Sequence, residues 1–249
     1  INAANAVAAA DAVLVKRLCD AGAVLVGMLN MDEYAYGFTT ENAHYGTTCN
    51  PHALDRIAGG SSGGCGAAVA AGLTPLALGS DTNGSIRVPS ALCGIYGLKP
   101  TYGRLTRAGT FPFVGSLDHL GPFACTLGDL AAVYDVMQGE DDLDPMCAQR
   151  PVEPVSGQMP QGLEGLRVGL FTGYFEQNAG EEAWAAVAHA AREIGVSREV
   201  GLPEVERARA AAFIITAAEG GQLHLPHLRT RRARSEEHTS ELQSHHDLV

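Results

Sequence analysis

Apolar residues recur at helical spacing across "DAVLVKRLCDAG" (11–22), where Asp11 reads as an N-cap and Gly22 as a stop. The continuous apolar run "AVLVGML" (23–29) predicts a short buried strand, and a helix feeding a buried strand points to an α/β layer fold. "SSGGCGAAVAAGL" (61–73) passes from glycines into small helix formers, and "TPLALGS" (74–80) reads as a second buried strand. "VPSALCGIYGLKPTYGRLTRAG" (88–109) holds one helical turn among Gly and Pro breakers. "TLGDLAAVYDVMQG" (126–139) predicts a helix with Thr126 and Asp129 as its capping pair and Gly139 as its stop. "LRVGLF" (166–171), "EEAWAAVAHAAREIG" (181–195) and "EVERARAAAFIITAAEG" (204–220) resume as strand, helix, helix. No internal repeat is visible.

Other stretches lack any period. The run "NMDEYAYGFTTENAHYGTTCNPHALDRIAGG" (30–60) is polar, aromatic and turn-rich, and is expected either to wall a pocket or to wrap the surface. The acidic, Pro-rich 139–162 reads as a surface connection. "RSEEHTSELQSHHDLV" (234–249) loses all apolar periodicity and is expected to be a non-native tail, which leaves 1–233 as the domain. "INAANAVAAA" has neither an initiator Met nor the basic region of a signal peptide, and reads as a truncated start.

Composition narrows the function classes. A length of 249 residues suits one large or two modest domains. The chain is 46% hydrophobic, yet no apolar run reaches the ~18 residues of a membrane span. A net charge of -11 argues against the basic face that nucleic-acid binding needs. Six cysteines without CxxC spacing suggest reduced thiols and a cytoplasmic protein. His44, Cys49 and His52 fit no common zinc spacing, so no metal is expected.

The chemistry concentrates in "GSDTNGSIRVPS" (79–90). A serine attacks a carbonyl only when a base takes its proton and donors receive the charge developing on the carbonyl oxygen. Thr82, Asn83 and Gly84 lead into Ser85 with a composition suited to a tight turn, which can aim consecutive N–H groups at one point. Ser61 and Ser62 form a second cluster, and the intervening helix and strand are expected to return both clusters to one sheet edge, where two serines share a proton path. The same residues satisfy GxSxG twice, but the elbow of an α/β-hydrolase needs a preceding strand, which "NPHALDRIAGG" is not expected to be. No Gly-Lys-Ser/Thr follows the glycines, which removes a P-loop. Ordinary turns and helix caps remain the plain alternative.

Taken together, "GGSSGGCGAAVAAG" followed by "GSDTNGSIRVPSALCGIYGLKPTYGR" resembles the amidase signature family, and the likeness extends from about Asp11 to "TAAEGGQLHLPHLRTR". The flanks are most similar to the carboxybiuret-hydrolysing branch, with the glutamyl-tRNA amidotransferase A-type chain near in style. The resemblance implies an α/β fold with a mixed central sheet covered by helices, present as a partial domain. It implies hydrolysis of a C–N bond in a small-molecule amide or urea-type substrate by a Ser, cis-Ser, Lys triad, with no organic cofactor.

Position by position, the resemblance makes Ser85 the nucleophile and Ser61 the bridging serine after a cis peptide. Thr82, Asn83, Gly84 and Ser85 become oxyanion amides, Asp81 and Arg87 a bracing ion pair, and Ser62 a support. Tyr36 and Gly37 are candidates for the substrate wall. The family's lysine is expected upstream of this sequence, since Lys16 reads as a solvated helix residue and Lys99 as structural. A homo-oligomer and a small partner subunit are both open. Two rival readings also stand: an inert fragment, or a component of an amidotransferase.

Overall fold

A computed structural model describes residues 8–231. Two contact units divide them: 8–156 with 215–231, and 157–214.

The first unit is built on a three-stranded antiparallel sheet in which His119–Ala124 lies between Leu76–Asp81 and Tyr96–Gly97. Its elements begin with α1 (Val13–Asp20), the hairpin β1 (Glu41–Asn42) with β2 (Gly46–Thr47), and the hairpin β3 (Cys49–Asn50) with β4 (Ala53–Ile57). There follow α2 (Gly63–Ala70), β5 (Leu76–Asp81), α3 (Arg87–Cys93), β6 (Tyr96–Gly97), β7 (His119–Ala124) and α4 (Leu127–Met137). The second unit holds β8 (Leu170–Phe171), α5 (Tyr174–Gln177), α6 (Glu181–Glu193) and β9 (Glu199–Val200), with β8 and β9 parallel. Helix α7 (Val205–Arg231) starts in the second unit and ends in the first. No helix of the described residues is long and apolar enough to cross a membrane.

Strand alternation sorts the core of the first unit into two layers. Leu76, Leu78 and Leu120 pack on one face with Leu14, Val133 and Met137 from α1 and α4. Ala77 and Phe123, directly paired in register, pack on the other with Cys65, Val69 and Ile86. The result is helix on sheet on helix, with the loops before α2 and after β5 at the same end. All six cysteines are free thiols, and burial pushes Cys65 up to about 12, so this thiol acts as a small apolar filler.

Several expectations change. Asp11 does not cap α1: Ala12 holds the cap position and no side chain bonds there. Residues 23–29 form no strand, and Val24, Val26 and Met28 are 82%, 78% and 94% exposed. An apolar run becomes a strand only where a neighbour takes its backbone bonds, and no described strand pairs with this one. By contrast "ALDRI" is a strand, β4, although an exposed hairpin rather than a buried strand beneath an elbow. The central strand β7 had no sequence signal because Gly121 and Pro122 interrupt it. Its proline is accommodated with the carbonyl of Pro122 accepting from Leu98 N–H at 3.0 Å. Of 166–171 only Leu170–Phe171 is strand, while α7 runs beyond 220 to Arg231. The expected tail, 234–249, lies outside the described residues.

Candidate active site

The glycine-serine loop 59–64 is wrapped by the segment 30–40. The Asn30 carbonyl accepts the Gly64 amide at 3.0 Å, and the Asp32 amide donates to the Ser61 carbonyl at 3.1 Å. Thr40 Oγ1 donates to the carbonyls of Gly59 (2.9 Å) and Ser61 (3.2 Å) and accepts the Gly63 amide at 3.0 Å. The fully buried Asp32 carboxylate accepts the Thr40 amide at 3.0 and 3.1 Å. This packing explains the glycines: a Cβ at Gly60 would stand 2.2 Å from Asp32 Oδ2, and one at Gly63 would stand 2.3 Å from Thr40 Oγ1. Residues 30–40 of the aperiodic stretch are thus the jacket of the loop.

Within this jacket the Gly60–Ser61 peptide bond is cis. Ser61 is fully buried, and its Oγ has no hydrogen-bond partner among the described residues. Ser62 Oγ donates to the Ser80 carbonyl at 3.2 Å and accepts its amide at 3.1 Å, stitching the loop to β5. A further bond runs from the Ser62 amide to the Ser85 carbonyl at 3.2 Å. The two serine clusters predicted from the sequence are therefore in direct contact, with Ser85 only 3% exposed.

Asp81, the last residue of β5, organises the turn into α3. Its carboxylate accepts the amides of Gly84 (2.9 Å) and Ile86 (3.1 Å) and two bonds from Arg87, Nε at 3.0 Å and Nη2 at 2.9 Å. Burial alone would raise the Asp81 carboxyl, but the Arg87 guanidinium and the backbone amides of Ile86 and Arg87 outweigh it and hold the group below its ordinary value. The expected brace between Asp81 and Arg87 is in place. One expected donor is not: the Gly84 amide, at φ +142°, is turned to Asp81 rather than left for an oxyanion. The amides of Thr82, Asn83 and Ser85 have no acceptor among the described residues. These three are the donors that the turn leaves available.

The substrate-wall candidates lie differently. Gly37 is pressed against the Asp32 carboxylate, where a Cβ would come within 2.5 Å of Cγ, so its small size serves that approach. Tyr36 meets Phe113 edge-on at 5.5 Å. The residue of this segment beside the turn is Phe38, whose ring would be 3.6 Å from a Cβ at Gly84 and which is 41% exposed. Sequence reasoning missed Phe38 and also Asp118, which accepts from Thr82 Oγ1 at 2.6 Å. Neither carries a spacing signal, because each reaches the turn across the fold.

Neither lysine meets the serines. Lys16 pairs with Asp20 at 2.6 Å on the surface of α1. Lys99 Nζ donates to the Pro100 carbonyl at 2.9 Å, and burial followed by the Arg87 charge lowers its pKa. Among the described residues no three His, Cys, Asp or Glu side chains are grouped to hold a metal ion.

Comparison with known proteins locates this arrangement. The sequence model described as Amidase matches residues 2–246. The chain is 62% identical over 224 residues to the AtzE component of 1-carboxybiuret hydrolase from Pseudomonas sp. (strain ADP), covering 90% of this chain and 49% of that protein. It is 46% identical over 219 residues to the A-type chain of glutamyl-tRNA(Gln) amidotransferase from Roseiflexus sp. (strain RS-1), covering 86% and 45%. Among solved structures, a vestigial protein complex bearing on the evolutionary origins of an s-triazine catabolic enzyme superposes with a TM-score of 0.93 at 59% identity, over 95% of this chain and 52% of that one. The native peptide amidase of Stenotrophomonas maltophilia gives 0.78 at 33% identity, over 89% and 48%. The chain spans about half the length of the relatives it matches.

Proposed function

The chain belongs to the Amidase family, and from that premise we propose that it carries the nucleophile of an amidohydrolase cleaving a small amide or urea-type C–N bond, carboxybiuret-like in its substrate. Ser85 Oγ bonds to the carbonyl carbon, and the amides of Thr82, Asn83 and Ser85 receive the charge that develops on the oxygen. The Ser85 proton passes through Ser61 Oγ to a lysine base and on to the departing nitrogen as the C–N bond breaks. Water then adds to the acyl-enzyme ester, releasing the acid and returning the proton to Ser85.

The observation that carries this reading is Ser61 Oγ. A hydroxyl that is fully buried without a partner among the described residues costs about 1–3 kcal/mol, which a purely structural serine would have no reason to incur. It lies next in sequence to Ser62, whose amide grips the Ser85 carbonyl. Lys16 and Lys99 bond elsewhere, so the proposal takes the base to be a further lysine of the amidase domain. A cytoplasmic setting and a small partner subunit complete the proposal.

In the full-length protein, Ser85→Ala is expected to abolish turnover of a small urea-type substrate and to block labelling by a fluorophosphonate. Ser61→Ala is expected to cost about 10²-fold or more in kcat. Undiminished turnover in Ser85→Ala removes the proposal. A second reading is an A-type chain of an amidotransferase, favoured by the 46% identity to that relative. Glutamine-dependent activity together with a copurifying tRNA-binding subunit would select it.

A further inference from the structure

Two side-chain bonds tie the turn after β5 to parts of the chain far away in sequence. Thr82 Oγ1 donates to Asp118 Oδ1 at 2.6 Å, and Asn83 Nδ2 donates to Thr216 Oγ1 at 2.8 Å. Asp118 is itself fixed, because its other oxygen accepts the amides of Phe113 and Val114, both at 2.8 Å. Thr216, 2% exposed, lies on α7. Three residues further along, Glu219 accepts the amide of Ser116 at 3.0 Å and also its hydroxyl. Positions three apart share a helix face, so one face of α7 holds both the turn and the loop that carries Asp118.

The consequence concerns which donors remain. With both side chains of Thr82 and Asn83 engaged and the Gly84 amide bonded to Asp81, the orientation of the 82–83 peptide planes is set from three sides. We infer that Thr216 is a positioning residue for the reaction at Ser85: through Asn83 it aims the turn's backbone amides at the charge developing on the attacked carbonyl. The inference rests on the reading of Ser85 as nucleophile. Donors act on a transition state only when aimed beforehand, and a misplacement of about 1 Å can cost about 10²-fold in rate.

The test uses the full-length protein with Thr216→Val, Thr216→Ser, Asn83→Ala, the Thr216→Val/Asn83→Ala double variant and Ser85→Ala, each measured for kcat, KM and fluorophosphonate labelling rate on the same preparation. Thr216→Val is expected to lower kcat and the labelling rate by about tenfold or more while KM changes by less than about twofold. Thr216→Ser, which keeps the accepting oxygen, is expected to restore most of the rate. The double variant is expected to lose less than the two single losses combined, since both remove the Asn83–Thr216 bond.

Wild-type kcat in a folded Thr216→Val, additive losses in the double variant, or failure of Thr216→Ser to recover overturns the inference. Where Thr216→Val does not fold, Asn83→Ala decides alone, because it leaves the helix untouched: an unchanged kcat overturns the inference and a kcat loss without a KM change supports it. Ser85→Ala separates the two claims. If it abolishes turnover while Thr216→Val is unimpaired, only the role of Thr216 falls; if it retains turnover, the nucleophile reading falls and takes this inference with it.

Discussion

Arg87 meets Asp81 at two points, Nε to Oδ2 at 3.0 Å and Nη2 to Oδ1 at 2.9 Å, and the carboxylate it meets is completely buried. That carboxylate also receives the amides of Gly84 and Ile86, so one ion pair fixes both the turn and the first residues of α3. Lysine offers a point charge in place of a planar fork and cannot make both bonds in the same geometry. Arg87→Lys in the full-length protein is therefore expected to lower unfolding free energy by about 2 kcal/mol, less than the loss of a fully buried pair because the guanidinium is half exposed. Urea unfolding measures the stability change, and slower fluorophosphonate labelling of Ser85 reports the loosened turn.

A second carboxylate sets the acid limit. The Arg107 guanidinium beside Asp144 holds its carboxyl at about 2, with the Arg107 and Met146 amides adding to the effect against burial. A group whose pKa is depressed on folding contributes stability above its unfolded value and loses it as pH falls through the folded one. Asp144 should thus supply about 2 kcal/mol at neutral pH, lost between about pH 4 and about pH 2. Urea unfolding of wild type and Asp144→Asn at stepped pH checks this: the variant starts less stable and shows a shallower decline across that window. Equal slopes would contradict it.

The glycines of the site are space-limited rather than merely flexible. At Gly60 a methyl group would meet Asp32 Oδ2 at 2.2 Å and two backbone atoms, Thr39 N at 2.7 Å and Phe38 C at 2.8 Å. Backbone cannot withdraw as a long side chain can, so Gly60→Ala is expected to destabilise by about 1–3 kcal/mol, the usual range for overpacking. Gly72→Ala is the control for space: no atom lies within 4 Å of its Cβ position, and its φ of +69° leaves backbone conformation as the source of any cost. Thermal unfolding of the two variants should separate the two causes, with the larger fall in melting temperature at Gly60.

How much of this could be read beforehand follows from what each feature depends on. Helices α2, α4 and α6 were legible because composition and spacing are local, and α4 alone of the three adds a side-chain cap, Thr126 Oγ1 accepting the Asp129 amide at 3.1 Å. Both serine clusters were legible from their motifs, and the contact between them is a backbone bond, from the Ser62 amide to the Ser85 carbonyl, that no side-chain pattern announces. The strand expected at 23–29 was not decided locally, because its apolar residues need a partner that the described residues do not supply. Strand β7 was hidden by Pro122, whose place depends on the neighbours at Leu78 and Leu98. Asp118, Thr216 and Phe38 reach the turn across the fold, and no spacing rule joins residues that meet only in space. The Gly84 amide differs for a related reason: the resemblance offered it as one of four donors, and no local pattern announces that Asp81 takes its N–H.

Lys99 offers the sharpest remaining distinction. It sits near the Asp81–Arg87 pair, where burial and the Arg87 charge both favour its neutral form while Asp81 opposes them. A lowered pKa is what a catalytic base needs, so electrostatics alone would nominate it. Geometry points elsewhere: its Nζ donates to the Pro100 carbonyl at 2.9 Å and bonds to neither serine. Removing a general base costs about 10²–10⁴-fold, whereas removing a partly exposed structural lysine mainly affects stability. Lys99→Met in the full-length protein is accordingly expected to keep kcat within about tenfold of wild type, with an unchanged pH profile. A loss of about 10²-fold in a variant of normal melting temperature, accompanied by loss of the alkaline dependence of labelling, would make Lys99 the base and return the whole proton path to this chain.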